Sequence, residues 1–183
     1  MNDKYNSLIL VYDKYEPINR QRIPMLDKVT FNQPKTISRS ITAKTTPLTL
    51  DCLKKEFYNL RSISSKCERS RAYVMVGLSE NKSPMSADDF ASYIKCFYDE
   101  LDFLGFDVCF VQIIFTPNYI EKNKQETLWS RRYKKVFEKF SFEKIKVVLE
   151  YKNKNIYCLT KNSYVNLWQT ILEDYKEWCD YER

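Results

Sequence analysis

Apolar positions recur along this chain with two distinct periods. Phe90, Ile94, Phe97, Leu101 and Leu104 lie three or four residues apart, the spacing of a helix that buries one stripe. Ser86 and Asp89 form a capping box ahead of that stripe, and Asp88 joins them in the first turn, where the helix dipole favours acids. Gly105 supplies the stop. The chain then runs into Val108-Cys109-Phe110-Val111-Gln112-Ile113-Ile114-Phe115, a nearly continuous apolar stretch. Such a run predicts a central strand covered on both faces, ended here by Pro117.

The same periods predict the remaining elements. Leu50, Leu53, Phe57 and Leu60 predict a helix over 49–61, followed by a polar linker at Ser62–Ser70. Trp129, Tyr133, Val136, Phe137 and Phe140 predict a helix over 125–140. Tyr164, Trp168, Ile171, Tyr175 and Trp178 predict a last one from about Ser163 to Tyr181. Short β runs stand at Leu8–Tyr12, Ala72–Val76, Ile145–Tyr151 and Ile156–Thr160. Asn153-Lys154-Asn155 reads as the turn of a hairpin between the last two. From about residue 72 the order is β-α-β-α-β-β-α, an α+β or mixed α/β core. Pro17, Pro24, Pro34 and Pro47 exclude a continuous helix or a central strand, so 17–49 is expected to be extended, irregular chain. The expected organisation is an N-terminal strand and arm at 1–48, then a single α/β domain at 49–183.

Composition narrows the chemistry. With 183 residues, 44% of them apolar, the chain is long enough for one sizeable core. Histidine is absent, which removes imidazole bases and zinc–histidine sites. Only Gly77 and Gly105 are glycine, which removes glycine-rich phosphate loops of the P-loop and dinucleotide types. The six cysteines form no CxxC pair and read as reduced, mostly buried thiols. No metal and no cofactor are expected. No apolar run approaches a membrane span, and the N-terminus lacks the pattern of a secretory signal. The expectation is a cytoplasmic protein (nuclear in a eukaryotic setting), neither secreted nor membrane-bound.

Charge adds a direction. The net charge is +6 and unevenly placed, with the basic excess concentrated on 122–154. At about 100° per residue, Lys124, Arg131, Arg132, Lys135 and Lys139 fall on one side of the 125–140 helix, opposite its aromatic stripe. Lys152 and Lys154 follow on the hairpin, beside Tyr151 and Tyr157, which are placed to stack on bases. These residues predict a non-enzymatic protein that binds nucleic acid through a basic helix and hairpin. The Lys/Asn/Tyr/Phe-rich composition suggests a virus, phage or mobile element. One alternative is an interaction module, an inhibitor or adaptor that grips an acidic protein surface. The acidic helices also make the molecule bipolar, which suits a homo-oligomer. A second alternative rests on Glu150-Tyr151-Lys152, whose E-x-K spacing places both end residues on one face of a strand. That segment resembles the end of the PD-(D/E)xK nuclease signature. The resemblance implies a divalent-metal nuclease using Glu150 and Lys152, although the chain has no Pro-Asp pair.

Overall fold

A computed structural model describes residues 5–12, 35–42, 50–76, 85–115, 124–150 and 161–181. In chain order the elements are β1 (Asn6–Tyr12), β2 (Thr36–Thr42), α1 (Leu50–Lys55), α2 (Phe57–Lys66), β3 (Arg69–Met75), α3 (Ala87–Phe103), β4 (Asp107–Phe115), α4 (Lys124–Lys139), β5 (Lys144–Leu149) and α5 (Lys161–Asp180). The five strands form one sheet in the order β2-β1-β3-β4-β5, and every pairing in it is parallel. The protein is therefore a mixed α/β structure, as the order of elements implies.

Burial explains which strands sit inside. Leu8, Ile9, Leu10 and Val11 of β1 and Ala72, Tyr73, Val74 and Met75 of β3 are all buried, as parallel strands covered on both faces must be. β3 is central, with β1 and β2 on one side of it and β4 and β5 on the other. In an open parallel sheet the reversal of direction, here between β1 and β3, leaves a crevice at the carboxyl ends of the strands.

The helices follow their apolar stripes. In α3, Phe90, Ala91, Ile94, Phe97 and Leu101 are buried. Its N-terminus is the expected capping box: the Ser86 Oγ accepts the Asp89 N–H at 3.1 Å. Its C-terminus is a Schellman motif, in which Gly105 N–H donates to the Asp102 carbonyl at 2.8 Å and Phe106 N–H to the Leu101 carbonyl at 3.1 Å. Gly105 takes φ +84°, a left-handed conformation that suits glycine. Phe90 of α3 meets Tyr133 of α4 edge-on at 5.5 Å between ring centroids. The Tyr133 hydroxyl donates to the Val76 carbonyl at 2.5 Å, which fastens α4 to the end of β3.

Helix α5 crosses the sheet obliquely. Near its start, Asn166 donates to the Val148 carbonyl of β5 at 3.4 Å. Toward its end, Tyr175 meets Thr36 of β2 at 3.3 Å, and the Trp178 carbonyl accepts from Arg69 of β3 at 2.8 Å. The carboxyl half of this helix thus covers the amino-terminal edge of the sheet.

Several sequence-based expectations are corrected here. Residues 36–42 form an edge strand, β2, inside the stretch expected to be irregular. The expected 49–61 helix is two helices, broken at Glu56 and extending to Lys66, so most of the supposed linker is helical. β3 begins at Arg69, before the start expected at Ala72. The partner strand at Ile156–Thr160 and its turn lie outside the described residues.

Candidate functional site

Two edges of the sheet carry the features that matter. At the amino-terminal edge is a cavity of about 540 Å³, lined on its floor by Arg71, Glu143 and Asp174. Arg71 is the third residue of β3, Glu143 directly precedes β5, and Asp174 lies on α5. Parallel strands bring the first two to one edge, and the oblique course of α5 brings the third.

Arg71 is 2% exposed, so its charge has to be matched inside the protein. Its Nη1 donates to Glu143 Oε2 at 2.7 Å, and its Nη2 donates to Glu143 Oε1 at 2.5 Å and Asp174 Oδ2 at 2.9 Å. The first two make a fork-to-fork pair, the geometry for which guanidinium is suited. The Tyr73 hydroxyl donates to the same Asp174 oxygen at 2.5 Å. Burial pushes the Tyr73 phenol upward, and Asp174's hydrogen bond and charge add to this. Burial alone would lower Arg71, but the Glu143 hydrogen bond, with Cys109 and Tyr73, outweighs it and holds the guanidinium protonated. The Nε–H of Arg71 is buried with no acceptor among the described residues.

Cys109, Glu143 and Asp174 place one ligand atom each within 4.8 Å of one another, a spacing that also suits a metal ion. Arg71 Nη2 already bonds both carboxylates, so a guanidinium occupies the cation position. Burial also pushes the Cys109 thiol up to about 12, which disfavours the thiolate a metal needs. The cluster is a buried ion network that ties β3, the approach to β5 and α5 together.

Trp178 closes one side of this edge. Its Nε1–H donates to Asp107 Oδ2 at 3.0 Å, and the Arg69 guanidinium lies 4.1 Å from its ring centroid. On another wall the Tyr98 and Phe142 rings stack at 4.5 Å.

The carboxyl-terminal edge is described only in part. The segments that leave the ends of β1, β3, β4 and β5 fall at 13–34, 77–84, 116–123 and 151–160, outside the described residues. What is described includes Glu150, exposed just past β5, beside a cleft of about 230 Å³ lined also by Val148, Asn162, Ser163 and Asn166. The Glu150 N–H donates to the buried Ser163 Oγ at 2.5 Å, joining the end of β5 to the first turn of α5.

The residues expected to bind nucleic acid do not form one solvent face. Arg132 is 2% exposed, with its Nη2 donating to the Met85 carbonyl at 2.7 Å and its guanidinium 5.4 Å from the Phe90 ring centroid. Lys135 lies 3.8 Å from Asp88 of α3, so part of its charge is matched within the fold. Lys139 sits over Phe140 at 5.7 Å, and Arg131 is exposed. The side chains of Lys124, Tyr151, Lys152, Lys154 and Tyr157 lie outside what is described.

No family model matches the chain, and no curated protein matches it in sequence. Solved structures do share its fold. A psychrotrophic esterase from Pseudoalteromonas sp., in a structure inhibited by monoethylphosphonate, aligns with a TM-score of 0.60 at 9% identity, over 95% of this chain and 98% of its own. A lipase/acylhydrolase from Enterococcus faecalis aligns at 0.60 and 10% identity, over 93% and 95%. A lipolytic protein of the G-D-S-L family from Veillonella parvula aligns at 0.57 and 8%, over 93% and 98%. The chain therefore has the fold of these hydrolases across nearly its whole length.

That finding corrects the expectation of a non-enzymatic nucleic-acid binder of viral, phage or mobile-element type. With it go the adaptor and nuclease alternatives. Two features of the sequence bear on the chemistry open to this chain. The four letters Gly-Asp-Ser-Leu occur nowhere, since Gly77 precedes Leu78 and Gly105 precedes Phe106. Histidine is also absent, so a serine–histidine–aspartate relay is not available to this chain.

Proposed function

We propose that this protein is a hydrolase of acyl esters that works at the carboxyl-terminal edge of its sheet without an imidazole. The observation that carries the proposal is the alignment with an esterase, a lipase/acylhydrolase and a lipolytic protein over 93% or more of the chain. The strand order reverses between β1 and β3, the place where open parallel sheets bind their ligands, which supports a site at that edge. The reaction adds water across the ester C–O bond and releases a carboxylic acid and an alcohol.

Acyl transfer needs a nucleophile, a proton acceptor and donors for the developing oxyanion. Without histidine the acceptor has to be a carboxylate, an amine or a thiolate. Among the described residues that border the ends of the strands, Glu150 is the carboxylate available for that role. Five described cysteines are free, which supports a reducing compartment such as the cytoplasm. No described helix is long and apolar enough to cross a membrane.

The test is hydrolysis of p-nitrophenyl acetate and butyrate by the purified full chain between pH 5 and 9. Turnover above the buffer rate is expected, without the limb near pH 6.5 that a histidine base gives. Glu150→Gln separates the assigned base from the rest of the edge, and it should lower kcat more than KM. Binding of the ester without turnover, or no interaction at all, overturns the hydrolytic reading.

A further inference from the structure

Where α1 and α2 meet the end of α3, the surface carries a row of three aromatic rings, two of them turned to solvent. Tyr58 is 84% exposed and Phe103 is 75% exposed. Phe57, half-buried between them, meets Tyr58 edge-on at 5.8 Å between ring centroids and stacks on Phe103 at 6.3 Å. Contiguous apolar side chains facing water mark an interaction surface, and aromatic rings are enriched at the centre of such surfaces. We propose that this row is a two-fold interface between two copies of the chain.

The charges at the two ends of the row select that occupant. Beyond Tyr58 the flank is basic. Lys55 ends α1 and Arg61 lies one turn further along α2. Both are exposed, with no acidic partner among the described residues. Glu56, the acid at the junction of the two helices, is already engaged by Arg39 and Asn59. Beyond Phe103 the flank is acidic. Asp102 is exposed with no basic partner among the described residues, whereas Asp99, one turn earlier on α3, is matched by Lys95 at 2.6 Å. Within one copy the two flanks touch only at Lys54 and Glu100, 3.9 Å apart.

A two-fold axis normal to the surface reverses the row. Tyr58 of one copy then meets Phe103 of the partner subunit, and Lys55 and Arg61 face Asp102 of the partner subunit. The symmetry makes each of these contacts twice, as an isologous interface requires. A surface of one sign, such as a polyanion, would be attracted by one flank and repelled by the other. The row lies at the amino-terminal edge of the sheet, because α3 ends just ahead of β4. Pairing there leaves the carboxyl-terminal edge of each copy open, so dimerisation and ester turnover are read separately.

The experiment is sedimentation velocity of the full chain from micromolar to submillimolar concentration. A monomer–dimer equilibrium is expected. Tyr58→Ser with Phe103→Ser, both at exposed positions, should raise the dissociation constant at least about tenfold while circular dichroism shows the fold intact. Charge reversal tests the symmetry. Lys55→Glu with Arg61→Glu makes both flanks acidic, and Asp102→Lys makes both basic. Each variant alone should self-associate about tenfold more weakly than the parent, and an equimolar mixture of the two should recover the parent's affinity to within about threefold. A chain that stays monomeric throughout overturns the proposal. So does a dimer of unchanged affinity in the folded aromatic variant, which would place the contact elsewhere. Charge variants that dimerise as the parent does, or a mixture that stays monomeric, overturn it too.

Discussion

Replacing Arg71 with methionine removes the cation at the centre of the amino-terminal edge while keeping most of the side chain's apolar bulk. Two carboxylates then lose their partner. Removing one member of a fully buried ion pair costs about 3–5 kcal/mol, because the charge left behind is desolvated and unmatched. Here the penalty is divided unequally. Glu143 is 56% exposed and can turn to water, whereas Asp174 is 23% exposed and, among the described residues, keeps only the Tyr73 hydroxyl. The lower end of the range, about 3 kcal/mol, is therefore expected. Asp174→Asn leaves the bidentate Arg71–Glu143 pair intact and should cost about half as much. Glu143→Gln, at an exposed position, should cost under about 1 kcal/mol. Urea unfolding followed by circular dichroism measures all three. With a slope of about 2 kcal/mol per molar, Arg71→Met should lower the midpoint by about 1.5 M. A shift under about 0.5 M, or a loss for Glu143→Gln equal to that for Arg71→Met, would refute the reasoning.

Gly105→Ala forces a side chain into φ +84°, with its Cβ 2.9 Å from Ser64 Oγ. A loss of about 1–2 kcal/mol in the same unfolding assay is expected, and no loss would contradict the Schellman account. Cys109, pushed up to about 12 by burial, should resist iodoacetamide at pH 8 in the folded protein, while the exposed Cys96 is alkylated. Mass mapping of the modified peptides reads this directly, and equal labelling of the two would refute it. Tyr73 and Tyr175 are both held above the ordinary phenol value of 10.0, chiefly by burial. The folded state thus retains protons that the unfolded chain releases. This contribution to stability is complete below pH 10 and is lost as pH rises beyond it. Unfolding free energy should fall above that pH, less steeply in Tyr73→Phe, and a slope unchanged by that substitution would count against the assignment.

What could be read from the sequence was what is encoded locally. Helix α3 announces itself because its cap, its stripe and its terminating glycine all lie within twenty residues of chain. β4 does so because a strand buried on both faces has to be apolar at nearly every position. β2 was hidden for the opposite reason. Thr36-Ile37-Ser38-Arg39-Ser40-Ile41-Thr42 is largely polar, as an edge strand can be, and its pairing partner β1 lies far back in the chain. The break at Glu56 was hidden because the apolar stripe continues through it from Leu53 to Leu60. Arg132 misled because a helical projection places its Cα on the polar side. Its long side chain reaches past that border to a carbonyl and an aromatic ring. The cavity could not be anticipated at all, since Arg71, Glu143 and Asp174 meet only after the sheet has formed. One trace of it was present: an arginine, Arg71, directly ahead of the apolar run Ala72–Val76.

The position of β1 also governs how the chain reaches this structure. Ser7 of β1 bonds Ser70 of β3 at 2.7 Å across 63 residues of sequence. During synthesis the apolar Leu8-Ile9-Leu10-Val11 segment emerges first, and at about 5–20 residues per second it waits several seconds for that partner. The β3–α3–β4 unit, whose pairings are nearer in sequence, can assemble without it. β1 then enters between two strands in the step with the longest loop to close. A strand buried at its five central positions is thus the one with the longest exposed lifetime during folding. Substitutions that slow its docking should reduce soluble yield before they reduce the stability of the finished fold.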